Sequence, residues 1–510
     1  MTTSVPGIAR PAAAVPAASA VGVDARRLRA MAMAAGLCWS ILFVVIGLRN
    51  ELQAYGDGSI FSYAVAVQDA WAFHWHNISG RLFVYLFSML PAETYVGLTG
   101  DARGGVALYG FLFYIAPLLG LALTWTADRS RGHILFTYAC VSTACLCPLV
   151  FGFPTEMWMA HALFWPALAL CHYAPRGLAG TAAVFAVLLA MVLTHGGAVV
   201  FAGLILFTLA LRGLRDPQFL RAAIVLLVVL AIWAGVTESI PADSYFASVL
   251  ARAAWNFIDL SILTCPMSLL LLGAVAGYGV AFVGLSRITP DRAQFYAALL
   301  TAAALAIYWL WFDHALHAEN RYYLRTELFV GAGGLGLLAA IHALLADGTL
   351  AVMPPQLPRL LPPRAMSTMA QALTGALMVI MLVHAVETEK FVTAWSSYKS
   401  AIRQLATGTV SDPKLGDPRF VSSARIAPSL EPLGWSSTTQ YLSVLLAPNL
   451  APRRLVIDPT GDYFWISCET ATANRLARRA VPARSRDLIG MFACQHRPRQ
   501  LVQAPATGTR

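Results

Sequence analysis

Long apolar runs alternate with short polar connections along this chain, and the connections are of two kinds. From about residue 30 to about residue 386 the runs are roughly 17–25 residues long, enough for a helix to cross a hydrocarbon core about 30 Å thick. One set of connections carries mainly Arg: "ADRSRGH", "HYAPRG", "LRGLRDPQFLR", the stretch with Arg287 and Arg292, and the Pro-rich stretch with Arg359 and Arg364. The other set carries acids and imidazoles: Asp57, His74, His76, Glu156, His195, Glu238, Asp243, Asp259, Asp313, His314, His317 and Glu319. Arg-rich loops mark the inner side of a membrane. With them inside, the acids and histidines fall outside, so the pattern predicts a reaction or binding cavity opening to the outer face.

The resulting fold class is mainly α, a polytopic transmembrane helical bundle of about eleven spans with the N-terminus in and the C-terminus out. Residues 1–29 are expected to be a disordered inner terminus, 30–386 the transmembrane domain, and 387–510 a small α/β outer domain. The first span is preceded by Arg26, Arg27 and Arg29 and followed by "LRNELQ", so it reads as an uncleaved anchor. A long outer loop, 51–104, follows. Its segments "SIFSYAVAVQDAWAFHWHN" and "RLFVYLFSMLPAETYVGL" are amphipathic or short, and Pro91 interrupts the second, so both are predicted to lie at the interface. If 81–98 crossed instead, "ADRSRGH" would be outside, against the charge bias. In the tail, "FVTAWSSYKSAIRQLATG" predicts a helix stopped by Gly408, and "QYLSVLLAP" and "RRLVIDPTGDYFWISC" predict strands.

Composition agrees with this class. The chain of 510 residues is 58% hydrophobic and 12% charged, against about 45–50% and about 25% for soluble domains. Its net charge of +10 is spread over inter-span loops and the tail, and no basic helix interleaved with aromatics suggests nucleic acid. Six of the eight cysteines lie in or beside apolar spans and read as small hydrophobes. Cys468 and Cys494 stand in the polar tail, where an oxidising compartment would allow a disulfide. No P-loop, dinucleotide fingerprint or zinc-protease motif is present. Gly331, Gly333, Gly334 and Gly336 fall mid-span and suit close helix packing.

Several residues invite chemistry, each with a plainer alternative. Asp57 in "AYGDGSIFSY" suits a general base at a cavity mouth, or an ordinary Asp-Gly turn. His74 and His76 in "FHWHN", with Arg81 after them, suit substrate contacts or interfacial anchoring beside Trp71 and Trp75. On a helix the two histidines would not share a face, which disfavours a metal pair. Glu156 in "FPTEMWMAH" is either a paired carboxylate or a solvated loop acid. The densest stretch is "DHALHAENRYYLRTELF", residues 313–329. There Arg321 beside Tyr322 and Tyr323 suits a lipid-linked phosphate, the alternative being snorkelling of Arg321 and Arg325.

In layout the chain resembles the GT-C superfamily, multi-span glycosyltransferases that use polyprenyl-phosphate-linked sugars. The resemblance is carried by Asp57 in "GDGS", the 51–104 loop, "ENRYY" at 319–323, and the tail from about 387. It implies a bacterial inner-membrane enzyme with a periplasmic tail. Asp57 would be the catalytic base, and Arg321, helped by Arg81 or Arg325, would hold the departing phosphate. Tyr322, Glu319, Glu156, His74, His76 and His317 would contact sugar or acceptor. The implied partners are a polyprenyl-phosphate sugar donor, a glycan or lipid acceptor and membrane lipids. The chain departs from the family pattern in two places. Gly58 and Ser59 follow Asp57 where a second acid would stand, which leaves a divalent metal an open question. Leu324 and Arg325 stand where many members have a proline soon after Arg-Tyr.

Two other classes compete. A transporter or flippase would need access from both sides, and the sequence reading places no acid, Lys or His deep in a span. A non-catalytic envelope assembly protein would act through its tail and dispense with Asp57.

Overall fold

The computed structural model describes residues 18–146, 156–238, 266–290, 292–311, 321–350, 363–409, 420–434 and 438–457. These are mostly helical: α1 (Ala18–Arg49), α2 (Gly58–Ala66), α3 (Ala70–Asn77), α4 (Leu82–Thr99), α5 (Ala102–Ala127), α6 (Ile134–Leu146) and α7 (Met157–Tyr173). Then come α8 (Leu178–Val192), α9 (Ala198–Ala210), α10 (Pro217–Glu238), α11 (Pro266–Ser286), α12 (Ala293–Trp311), α13 (Arg321–Asp347), α14 (Pro363–Thr407) and α15 (Thr439–Leu446). Residues 29–49 of α1, together with α4, α5 and α10, are long and apolar enough to cross a membrane by length and composition. Shorter apolar helices or helix segments occur in α6, α8, α9, α11, α12 and α13. Large apolar side chains such as Leu178, Ile224, Leu227, Val275 and Val280 are exposed, as hydrocarbon-facing residues are. The architecture is that of a helical membrane protein.

The bundle has two chemically distinct ends. At the first, the Arg29 guanidinium lies over Gly132, and Asp128 accepts from the amides of Ser130 and Phe136 at 2.8 and 2.9 Å. Asp347, closing α13, accepts from the Arg131 amide at 3.0 Å and the Tyr173 hydroxyl at 2.7 Å. Arg212 reaches the His172 carbonyl at 3.1 Å, and Arg221 the Pro175 carbonyl at 2.6 Å. The Arg-rich connections 128–132, 174–176 and 212–216 thus gather at one end.

At the opposite end Phe43 of α1 stacks on Trp158 at 4.6 Å, and Gly47 backs onto the Tyr114 ring. The long first loop is folded here. α4 begins where the Phe83 amide donates to the Leu193 carbonyl at 3.0 Å, and it ends with Val96 against Gly105 at the start of α5. Both of its termini therefore belong to one end of the bundle, although its length would allow it to cross. A π-turn at Tyr85–Met89 and Pro91 interrupt it.

Three local expectations are corrected. α1 starts at Ala18, inside the stretch expected to be disordered. "QYLSVLLAP" forms the helix α15 rather than a strand. Its apolar run is nearly continuous, and such a run does not distinguish a buried strand from a buried helical turn. The third concerns the boundary at 386/387, which falls inside the single continuous helix α14. That helix ends at Thr407, with the Gly408 amide donating to the Gln404 carbonyl. Part of the second expected strand does form: Leu455–Ile457 pairs in parallel with Phe420–Ser422. The described tail shares one core with the first loop, where Ile402, Val421, Tyr441 and Val456 join Ile60, Tyr63 and Val65. Trp395 and Lys399 both donate to the Asn50 carbonyl, at 3.0 and 2.8 Å.

Candidate active site

Asp57 sits at the entrance to α2. Gly56, at φ +56°, makes a turn just ahead of Asp57, one residue before the Asp-Gly turn weighed from sequence, and the Gly58 amide closes it on the Tyr55 carbonyl at 3.0 Å. The Asp57 side chain does not cap its own helix. Ser59, two residues along and buried, donates between the Gly56 carbonyl at 2.9 Å and the Thr438 carbonyl of the tail at 3.2 Å. Tyr63 packs on Tyr441 with ring centroids 5.2 Å apart. The tail thereby braces the turn that carries Asp57.

Glu156 opens α7 and is buried, with only 5% of its surface exposed. Arg81, from the connection between α3 and α4, brings Nη1 to 2.8 Å from Glu156 Oε1. The approach is off the N–H direction, so Oε1 has charge compensation but no hydrogen-bond partner. Behind the pair lies His74, with no exposed surface and neither ring nitrogen in full hydrogen-bond geometry. Burial holds the His74 imidazole down at about 4. The Arg81 main chain opposes that shift, the Arg81 charge adds to it, and Glu156 opposes it. At neutral pH the ring is uncharged and offers one N–H and one lone pair.

Tyr109, buried on α5, links the two acids. Both the Glu156 and the Asp57 carboxylates act electrostatically on its hydroxyl. Asp57, His74, Arg81, Glu156 and Tyr109 therefore occupy one neighbourhood at one end of the bundle. Sequence reading missed Tyr109, because a tyrosine inside an apolar span carries no signal of its own. It missed the Ser59–Thr438 brace for a different reason, since nothing local reports a partner 379 positions away.

The remaining residues divide by what is described. His76 lies on α3 two positions from His74, so the two do not share a face. Arg321 and Tyr322 are the first residues of α13. Gly331 of that helix faces Leu146, and Asp347 closes it at the Arg-rich end. Its first residue thus lies at the Asp57 end, roughly 15 Å beyond Gly331 at about 1.5 Å per residue. Glu319, His317, Asp243, Asp259, Asp313, His314, Cys468 and Cys494 lie outside the described residues. Among the described residues no three His, Cys, Asp or Glu side chains gather to hold a metal. Mid-span glycines pack as expected: an added Cβ would strike the Phe164 ring at Gly336 and come within 3.3 Å of Leu204 at Gly333, while Gly334 faces open space.

Two histidines near the ends of apolar stretches, His161 and His384, are buried between helices. His161 Nε2 pairs with the Ser142 hydroxyl at 2.7 Å, and His384 Nε2 with the Cys145 carbonyl at 2.9 Å. Each is held to the neighbouring helix α6 as polar glue.

No protein-family model, no curated protein and no solved structure matches this chain.

Proposed function

We propose that the chain is a membrane glycosyltransferase that moves a sugar from a polyprenyl-phosphate carrier to a glycan or lipid acceptor on the outer face of the bacterial inner membrane. The observation that carries this reading is the meeting of Asp57, Arg81, Glu156 and His74 at one end of the bundle, with the backbone of Arg321 at that same end. The opposite end holds the Arg-rich connections and is the cytoplasmic one by the charge bias. The reading takes the chain to have about eleven spans and a periplasmic tail in that orientation.

In this mechanism Asp57 takes the proton of the acceptor hydroxyl as that oxygen attacks the anomeric carbon, and the carrier phosphate departs with the bonding electrons. A positioned base contributes about 10²–10⁴-fold. Phosphate is already a good leaving group, so cationic stabilisation by Arg81 and Arg321 and the holding of both reactants supply the rest. Glu156 and His74 orient hydroxyls, and the tail helps to bind the acceptor. The test is transfer of labelled sugar from a polyprenyl-phosphate donor by the purified full chain. Loss of transfer in Asp57→Asn, with unchanged folding and insertion, is the expected result. Solute movement into vesicles without any sugar transfer would replace this reading with transport.

A further inference from the structure

Among the described ion pairs, Arg212–Asp216, Lys390–Glu387 and Lys399–Glu51 each coincide with a proper hydrogen bond. Arg81–Glu156 does not, although its atoms are 2.8 Å apart and its carboxylate is the most buried of the four. A buried carboxylate oxygen without a hydrogen bond is costly, and fully buried His74, on which the Arg81 main chain and both charges of the pair act, has neither ring nitrogen in full hydrogen-bond geometry. His74 and the Arg81–Glu156 pair thus influence one another electrostatically while Glu156 Oε1 keeps no hydrogen bond. Such a group is under-satisfied as it stands, and a ligand with several acceptor oxygens would complete it.

The partner chemistry follows from the donors. Arg81 is a guanidinium whose planar fork matches an oxyanion, and its side chain is 24% exposed against 7% for Glu156, so it is reached from outside while the acid lies behind it. His74 adds an N–H without adding charge. We propose that Glu156 is a resident substitute for a phosphate group, occupying the Arg81 guanidinium until a phosphate oxyanion displaces it, with His74 completing the contact. Assigning that phosphate to a polyprenyl carrier rests on the functional reading above; the exchange itself does not.

The latch makes an unusual demand: removing the acid should strengthen ligand binding. Binding is measured on the full chain in nanodiscs with three probes, a short polyprenyl monophosphate, the matching uncharged polyprenol, and inorganic phosphate. Glu156→Gln should bind the polyprenyl phosphate about five- to tenfold more tightly than the unaltered chain. Glu156→Asp, whose shorter side chain withdraws the carboxylate, should shift affinity the same way by less, and serves if Glu156→Gln does not fold. Arg81→Gln should weaken binding at least about tenfold, and adding Glu156→Gln to it should restore nothing. Inorganic phosphate following the same order would show that the phosphate alone is recognised. Its failure to bind, with the lipid following the order, would show that the chain contributes. Unchanged or weaker binding in both Glu156 variants, or equal binding of polyprenol, overturns the proposal. Because no step uses sugar transfer, a chain that shows the exchange but transfers no sugar would lose the enzymatic reading and keep the latch. The reverse result would do the opposite.

Discussion

The two ends of the bundle use similar side chains in opposite ways. At the Arg-rich end, Asp128 accepts from two amides, Asp347 from an amide and a tyrosine hydroxyl, and Arg212 and Arg221 from their side donate to carbonyls. There the polar groups finish helix ends and tie connections together. At the other end the Glu156 carboxylate is buried too, yet keeps an oxygen without a hydrogen bond, whereas the buried atoms in that state at the Arg-rich end, His133 Nδ1, Gln218 Oε1 and Arg221 Nε, include no carboxylate oxygen. Buried polar groups in native structures are nearly always satisfied, and local violations of that rule concentrate at functional sites. Among the buried carboxylates the contrast separates acids that build the fold from an acid held ready for a ligand. It also implies that substitutions at the two ends should fail differently, one set in stability and the other in activity.

The largest expected effect falls on activity alone. Asp57→Asn should lower sugar transfer by about 10²–10⁴-fold while leaving the thermal melting of the detergent-solubilised chain where it was, since the side chain does not cap its own helix and the substitution keeps its size. A matching fall in melting temperature would make Asp57 another structural acid and erase the contrast.

Next is the pH response of the first loop. His74 titrates near 4 in the folded chain against 6.5 as its ordinary value. Between those values the unfolded chain takes up a proton that the folded chain refuses. Stability is therefore full above about pH 6.5 and falls as pH drops toward 4, by roughly 3 kcal/mol at the limit. Arg81 and Glu156 face the same ring with opposing effects. Hydrogen exchange of residues 70–85 should accelerate across that window, and His74→Gln should flatten the response. An unaltered slope in His74→Gln would assign the pH dependence to another group.

Much of this organisation was written locally. Among the described residues the apolar runs became helices because a run of that length closes its own backbone hydrogen bonds, and three of the Arg-bearing connections, 128–132, 174–176 and 212–216, do fall together. The turn at Gly56–Asp57 and the stop at Gly408 were legible because both rest on backbone conformations that glycine or a helix end imposes on its neighbours. What stayed hidden depends on distant partners. Asp57 also read as an ordinary turn residue and Glu156 as a solvated loop acid, and only the folding of α3, α4 and α7 to one end makes Arg81 and Glu156 an ion pair. The tail looked like a separate domain because its polarity changes near residue 387, whereas Trp395, Lys399 and Tyr441 commit it to the first loop.

At the Arg-rich end the comparison predicts a purely structural loss. Asp128 has no exposed surface, and its two oxygens accept from the Ser130 and Phe136 amides, closing the connection from α5 into α6. Asp128→Ala would leave both amides without those acceptors inside the protein, at a cost of about 1–3 kcal/mol each when no water replaces the carboxylate. Asp128→Asn keeps one acceptor oxygen and should recover about half of the loss. Melting of the purified chain measures both, and transfer by the fraction still folded should match the unaltered protein. Should Asp128→Ala instead melt normally and lose transfer, the Arg-rich end would hold functional charge as well. The division between a finished end and an unfinished one would then fail where it is most clearly drawn.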